Sequence, residues 1–190
     1  MARPLSEDKR NAILTAATEA VAAQGVGAPT SRIAKDAGVA EGTLFTYFPT
    51  KDILLNQLYL ALKAELGGSV VDQFPFASRL PDRWRHVWDR TIDWSAANPS
   101  ARKAMRQLAV SDRITPETKQ AGSAPFREIQ AMMTETHTAG GMKDQPLEFM
   151  IAVLEALGEM TLDFVAHEPA RRDHYKRAGF DAFWGAVGYR

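Results

Sequence analysis

Apolar residues in this 190-residue chain recur at helical spacing almost from end to end, and no stretch alternates as a half-buried strand would. Ala, Leu, Glu, Arg and Met abound while β-branched runs are absent, which restricts the chain to an all-α fold. Prolines and glycines then cut the pattern into pieces. Apolar residues make up 45% of the chain, enough to give those pieces a core to share.

The first helix is bounded on both sides. Ser6 is a suitable N-cap, Glu7 and Asp8 occupy the first turn where the helix dipole favours them, and Gly25 closes the end. Ile13, Leu14, Ala17, Ala20 and Val21 form its apolar face. Thr30 is expected to cap a short second helix with Ile33, Ala34 and Ala37 inward, and Gly38 supplies a left-handed turn. A third helix, Glu41 to Phe48, ends at Pro49. Thr50 caps a fourth, in which Ile53, Leu54, Leu58, Leu62 and Leu66 lie at helical spacing. Gly67-Gly68 and QFPFASRLPD are expected to break the chain. Five larger helices follow at about 81–97, 99–110, 116–139, 146–166 and 169–187, with Pro81, Pro99, Pro116, Pro146 and Pro169 near their starts. Pro125 kinks or splits the third of these. The total is about nine helices, divided into a three-helix domain at 1–50 and a larger domain at 51–190, with helix 51–67 as connector.

Several function classes are excluded or disfavoured. The 23 basic and 23 acidic residues cancel, so any nucleic-acid site must be local. No cysteine is present, which removes disulfides and thiolate chemistry. No run reaches the roughly 18 apolar residues of a membrane span, and MARPLSEDKR lacks a signal-peptide core, so a cytoplasmic protein is expected. The histidines, His86, His137, His167 and His174, show neither HExxH nor an i, i+4 metal pair. With no glycine-rich phosphate loop and no G-x-S-x-G elbow, we expect no catalytic residue, no metal site and no cofactor. Asp173 and His174 are adjacent on a helix and point apart. The expectation is a protein that is not an enzyme.

Residues 30–48 read as helix, glycine turn, helix, the arrangement of a helix-turn-helix DNA reader and also of any small amphipathic helix pair. Leu44 and Phe48 are four apart and face inward. Glu41, Gly42, Thr43, Thr46 and Tyr47 remain outside, where short polar side chains and a glycine permit close approach to base edges and phosphates. Lys51 opens the next helix, where its ammonium and free N–H groups suit a phosphate. Charge adds little: residues 1–51 hold Arg3, Lys9, Arg10, Arg32, Lys35 and Lys51 against Glu7, Asp8, Glu19, Asp36 and Glu41, net +1.

The stretch TSRIAKDAGVAEGTLFTYFPTKDILL resembles the N-terminal signature of the TetR (tetracycline-repressor) family of bacterial transcriptional regulators. The match runs through IA..AGV, then GTL.TYF, then the lysine and its leucine-rich helix, and covers roughly the first sixty residues. The resemblance implies a three-helix DNA-binding domain, a helical ligand-binding and dimerising domain, and repression relieved by a small-molecule effector. Carried onto this sequence, it directs Glu41, Gly42 and Thr43 toward bases and Thr46, Tyr47 and Lys51 toward phosphates. Thr30 and Ser31 begin the supporting helix near the DNA backbone. Two positions depart from the family. Ala40 replaces a common Ser cap, and Phe45 replaces a common phosphate-binding tyrosine, though its ring suits a sugar or a thymine methyl. They are the support for the alternative reading, a ligand-binding or protein-interacting homologue that has lost specific DNA binding.

The helix LEFMIAVLEALGEMTLDFVAH is apolar around most of its circumference, and the last helix carries Tyr175, Phe180, Phe183, Trp184 and Val187. By resemblance these two helices pair with their copies as a four-helix bundle, so Leu154, Gly158, Leu162, Phe180, Phe183 and Trp184 are the expected interface of a homodimer. Such a dimer fits a palindromic operator with half-sites about 34–36 Å apart. Glu155, Glu159 and Asp163 form one acidic stripe, either a solvated face or a pocket wall that counters a cationic ligand. Trp84, Trp88, Met105, Phe126 and Met133 are the other candidate walls, or else plain core.

Overall fold

A computed structural model describes residues 6–188. Among them every regular element is helical: α1 (Glu7–Gln24), α2 (Thr30–Asp36), α3 (Glu41–Tyr47), α4 (Lys51–Val71), α5 (Leu80–Ala97), α6 (Pro99–Ala109), α7 (Pro116–Ser123), α8 (Arg127–Ala139), α9 (Leu147–His167) and α10 (Arg172–Val187). Short 3-10 turns occupy Ala124–Phe126 and Pro169–Arg171. The helix expected over 116–139 is therefore split at Pro125 into α7 and α8, where a ring without an N–H interrupts the backbone ladder. None of these helices is long and apolar enough to cross a membrane.

The chain packs as two compact units. One comprises residues through Glu65 together with Asn98–Ala124, and the other Leu66–Ala97 with the chain from Pro125 onward. Residues 98–124 thus pack with the N-terminal helices, and the boundary within α4 falls at Glu65 rather than at Thr50.

In the first unit α1 is packed against both α2 and α6. All five apolar positions expected inward, Ile13, Leu14, Ala17, Ala20 and Val21, are buried. Alanines make that double contact possible, because their short side chains let a second helix approach the backbone. Ala101, Ala104 and Leu108 are the buried residues of α6. Polar clasps fix the register: Ser100 Oγ donates to Glu19 Oε2 at 2.8 Å, and Gln107 Nε2 reaches the Ala22 carbonyl at 3.5 Å.

Two local expectations require correction. Thr30 does not cap α2 but is its first residue, behind Pro29, which has no side-chain hydrogen bond to offer. The Thr30 hydroxyl instead donates to Glu41 Oε1 at 2.7 Å. Gly67-Gly68 does not break the chain either, since α4 runs through both to Val71. Gly67 is needed for clearance rather than for a turn: a Cβ there would overlap the Pro125 ring, whereas one on Gly68 would meet nothing within 4 Å.

The second unit is built from α5, α8, α9 and α10. Trp84, Trp88 and Phe183 interlock at its centre, with the Trp88 and Phe183 rings stacked at 6.1 Å and the Trp84 and Phe183 rings edge-on at 5.3 Å. Both indole N–H groups are satisfied, Trp84 by Thr136 Oγ1 at 2.7 Å and Trp88 by the Lys176 carbonyl at 2.9 Å. Beside them α5 and α10 exchange charges. Asp93 accepts from Arg172 at 2.5 Å and from Lys176 at 2.8 Å, while Asp89 stands 3.7 Å from the same ammonium. The two carboxylates respond oppositely. Burial pushes the Asp89 carboxyl up, against the pull of Lys176 and Arg85. Burial acts the same way on Asp93, but hydrogen bonds from Lys176 and Arg172 outweigh it and hold that carboxyl below its ordinary value.

These contacts predict two results. Gly67→Ala lowers the unfolding midpoint despite the roughly 1 kcal/mol that alanine adds to a helix interior, while Gly68→Ala leaves it unchanged or raises it. Urea denaturation of both variants checks this, and equal effects would refute the close approach of Pro125. A depressed Asp93 contributes stability above its unfolded pKa, lost as pH falls through the lower folded value. At neutral pH Asp93→Asn therefore costs more stability than Asp89→Asn, and the Asp93→Asn deficit narrows as pH falls below about 3.9. Thermal melts across pH read both effects, and a pH-independent deficit would contradict them.

Candidate nucleic-acid interface

Helices α2 and α3 are too short to persist alone, so their shape comes from what they bury. Ile33 and Leu44 are 0% exposed and Phe48 is 1% exposed, which seats α3 by Leu44, its fourth residue, and by Phe48 at its C-cap. Between the helices Gly38 adopts φ +68°, a backbone state that L side chains rarely occupy, and this sets the turn. Phe48 is covered by Arg10, whose guanidinium carbon lies 5.7 Å from the ring centroid while its Nη2 donates to Gln57 Oε1 at 3.2 Å.

Opposite that anchor lies a polar face. Ser31, Glu41, Gly42 and Thr46 are exposed, Thr30, Thr43 and Tyr47 half-buried, and a Cβ built on Gly42 would meet nothing within 4 Å. Phe45 is 38% exposed, a ring left outward on this same surface. Several of these groups are already oriented. Glu41 Oε1 accepts from Thr30, leaving Oε2 for another donor such as a cytosine amino group. Thr46 Oγ1 donates to the Gly42 carbonyl at 3.0 Å. Tyr47 Oη accepts the Ser6 backbone N–H at 3.0 Å, so its own hydrogen remains to be donated outward. Thr50 Oγ1 caps α4 by accepting from Ile53 N–H at 3.1 Å. Of the nearby cations, Arg32 is paired with Asp36 at 2.6 Å, and Arg3 lies outside the described residues. The Lys51 ammonium is held below its usual pKa, first by burial and then by the Arg113 guanidinium, with Asp52 opposing.

A family model of bacterial regulatory proteins of the tetR family matches residues 13–58, the span from the buried face of α1 to the middle of α4. The whole chain is similar to a tetR family transcription regulator from Shewanella sp. PV-4, at 26% identity over 96% of this chain and 99% of that one, TM-score 0.81. A TetR family transcription regulator from Marinobacter aquaeolei VT8 is 22% identical over 97% of each chain, TM-score 0.80. The TetR-like regulator LfrR from Mycobacterium smegmatis, solved in complex with proflavine, is 18% identical over 95% of this chain and 97% of that one, TM-score 0.66. Residues 13–58 are a TetR-family N-terminal domain, and the whole chain has the fold of these regulators.

As a TetR-family helix-turn-helix, the α2–α3 unit is the DNA-binding element of a transcription regulator. The Ala40 departure has a structural counterpart: it sits at the N-cap of α3 with extended backbone and no side-chain hydrogen bond. One neighbour of this face had no signal in the sequence. Arg113, 61 residues along the chain from Asp52, pairs with it at 2.9 Å, and periodicity within a helix says nothing about such a contact.

The other expected site residues are scattered. Trp84 and Trp88 come together, but inside the core and with their N–H groups bonded. Met105 belongs to the other compact unit. Phe126 and Met133 are half-buried, as is Glu159, while Glu155 and Asp163 are exposed. Among the expected interface residues, Leu162, Phe180 and Phe183 are 6%, 4% and 0% exposed within their own unit, so they are already committed to its core. Leu154, Gly158 and Trp184 are half-buried. The apolar surface that α9 leaves outside is Phe149, Met160 and Phe164, which the all-round apolar pattern could not single out.

The missing cap predicts that Ala40→Ser stabilises the first unit by about 1 kcal/mol, through a side-chain oxygen that accepts an N–H of the first turn of α3. Urea unfolding measures it. No gain would mean that Glu41, already bonded to Thr30, or water satisfies that turn.

Proposed function

We propose that the protein is a homodimeric repressor that reads a palindromic operator with its α2–α3 face and is released by a small-molecule effector. The observation that carries the reading is the exposed, charge-poor polar face of Ser31, Glu41, Gly42 and Thr46, held rigid from behind by fully buried Leu44 and Phe48. Short side chains there admit a close approach to base edges, and Tyr47 and Lys51 at its border suit phosphates.

Dimerisation is supported by α9. Phe149, Met160 and Phe164 are 51%, 45% and 48% exposed in the single chain, an apolar stripe that a second copy would cover. Half-buried Leu154 and Gly158 lie off this stripe, on the side of α9 that carries its buried residues, so the seam would be formed by the exposed three. A two-fold pair of such chains presents two reading helices, which is what a palindrome requires. The effector is supported by the likeness to TetR-family regulators and by the proflavine complex of LfrR. Its release of DNA requires only that it bind two conformations unequally.

The test is selection of duplexes from a randomised pool by the purified protein, then fluorescence anisotropy against the selected and a scrambled duplex with mass measured in parallel. The expected result is a palindromic consensus bound by two protomers with affinity that falls steeply as salt rises. A monomer in solution, or a pool with no consensus, would overturn the reading in favour of a homologue that no longer reads DNA, consistent with uncapped α3 and Phe45. Within the same assay Tyr47→Phe weakens binding by about tenfold or more per half-site, the worth of one hydrogen bond to a charged group. Unchanged affinity would remove Tyr47 from the phosphate contacts.

A further inference from the structure

Lys51 and Asp52 open α4, and taken alone their charges cancel. A third charge reaches the same turn from far along the chain. The segment between α6 and α7 folds back on it: Asn56 Nδ2 donates to the Arg113 carbonyl at 2.8 Å, and Asn56 Oδ1 accepts the Thr115 N–H at 3.1 Å. This two-point clasp on the backbone delivers the Arg113 side chain to Asp52, where Nη1 donates to Oδ1 at 2.9 Å. Both side chains stay open to solvent, 44% exposed for Arg113 and 63% for Asp52. The turn therefore carries a net charge of +1 instead of zero. Placing a guanidinium beside an ammonium is unfavourable, and the cost registers at Lys51, where Arg113 adds to the effect of burial in lowering the affinity for a proton. Asp52 answers one N–H of the guanidinium, and the net positive charge that remains on this solvent-open turn suits a second anion.

Resting on the DNA-binding reading above, we propose that Arg113 is a second phosphate-binding cation of the DNA-facing surface, supplied by the α6–α7 segment rather than by the helix-turn-helix. Asp52 orients the guanidinium by taking one N–H of Nη1, and the remaining edge of the fork is presented to a phosphate oxygen of the duplex. Lys51 and Arg113 then neutralise one stretch of DNA backbone from two sides, and Asp52 ceases to oppose Lys51. DNA binding also favours the docked form of the α6–α7 segment, because the cation is in place only while Asn56 holds the loop.

The test uses the full-length protein and a duplex that it selects from a randomised pool, with anisotropy titrations at several concentrations between about 50 and 200 mM salt. Arg113→Ala weakens binding and reduces the slope of log affinity against log salt by about 0.9 for each protomer on the duplex. Arg113→Lys keeps most of that slope, because the charge remains. Asp52→Asn, which removes the anion and leaves Arg113 in the chain, tightens binding. An unchanged slope in Arg113→Ala overturns the proposal. So does a lysine variant that matches the alanine one, since loop docking rather than charge would then be responsible, or an Asp52→Asn protein that binds more weakly. Wild-type protein that selects no duplex overturns the DNA-binding reading itself, and this proposal with it.

Discussion

The N-terminal unit depends on α1 being touched on two sides at once. Of its seven buried residues, four are alanines, which contribute little apolar area each but leave room for two neighbours. On one side α2 closes over it, and on the other α6 lies along it with Ala101, Ala104 and Leu108. Neither α2 nor α3 has enough hydrogen bonds of its own to be stable, so the polar α2–α3 face depends on the burial of Ile33, Leu44 and Phe48 behind it, with α1 packed on α2 and α2 on α3. The contact with α6 brings a distant part of the chain into the same compact unit. Its clasps at Glu19 and Ala22, and the bonds from Asn56 and Asp52 of α4 to the α6–α7 segment, hold the α2–α3 face and residues 98–124 in one compact unit.

The second unit is organised by aromatic packing with charges at its border. Trp84, Trp88 and Phe183 fill the centre, and satisfied indole N–H groups allow two tryptophans to be buried without leaving a donor stranded. Lys176, only 13% exposed, is tolerable there because Asp93 and Asp89 both face it. Arg85 lies 3.7 Å over the Phe180 ring and pairs with Asp181 at 2.8 Å, so a cation of the chain itself occupies that aromatic face. Aromatic residues that in sequence suit either a core or a ligand wall are, at these positions, core.

Disagreements between sequence and structure share one cause, contacts made by residues far apart in the chain. Gly67-Gly68 looks like a break because glycine is costly in a helix, yet α4 continues because Pro125 fills the space where the first would carry a Cβ. Thr30 looks like a cap by residue type, and becomes a partner of Glu41 once α3 folds beside α2. Phe180 and Phe183 look available for a second copy because the last helix is rich in rings. Their burial by α5 was invisible without knowing which face α5 takes.

Sequence alone determined the all-helical class, the helix boundaries set by Ser6, Gly25, Gly38, Pro49 and Thr50, and the helix-turn-helix with its inward and outward residues. Each of these is local: capping, left-handed turns and helical periodicity act within a few residues, so the order of amino acids suffices to read them. Only the tertiary structure decided that residues 98–124 pack with the N-terminal helices, and that Arg113 joins Lys51 and Asp52 at the start of α4. It also decided that Phe149, Met160 and Phe164, rather than Leu162 or Phe183, are the rings and chains α9 and α10 leave outside. Those outcomes rest on which helix faces meet, and an amphipathic pattern specifies that a face is buried without specifying its partner.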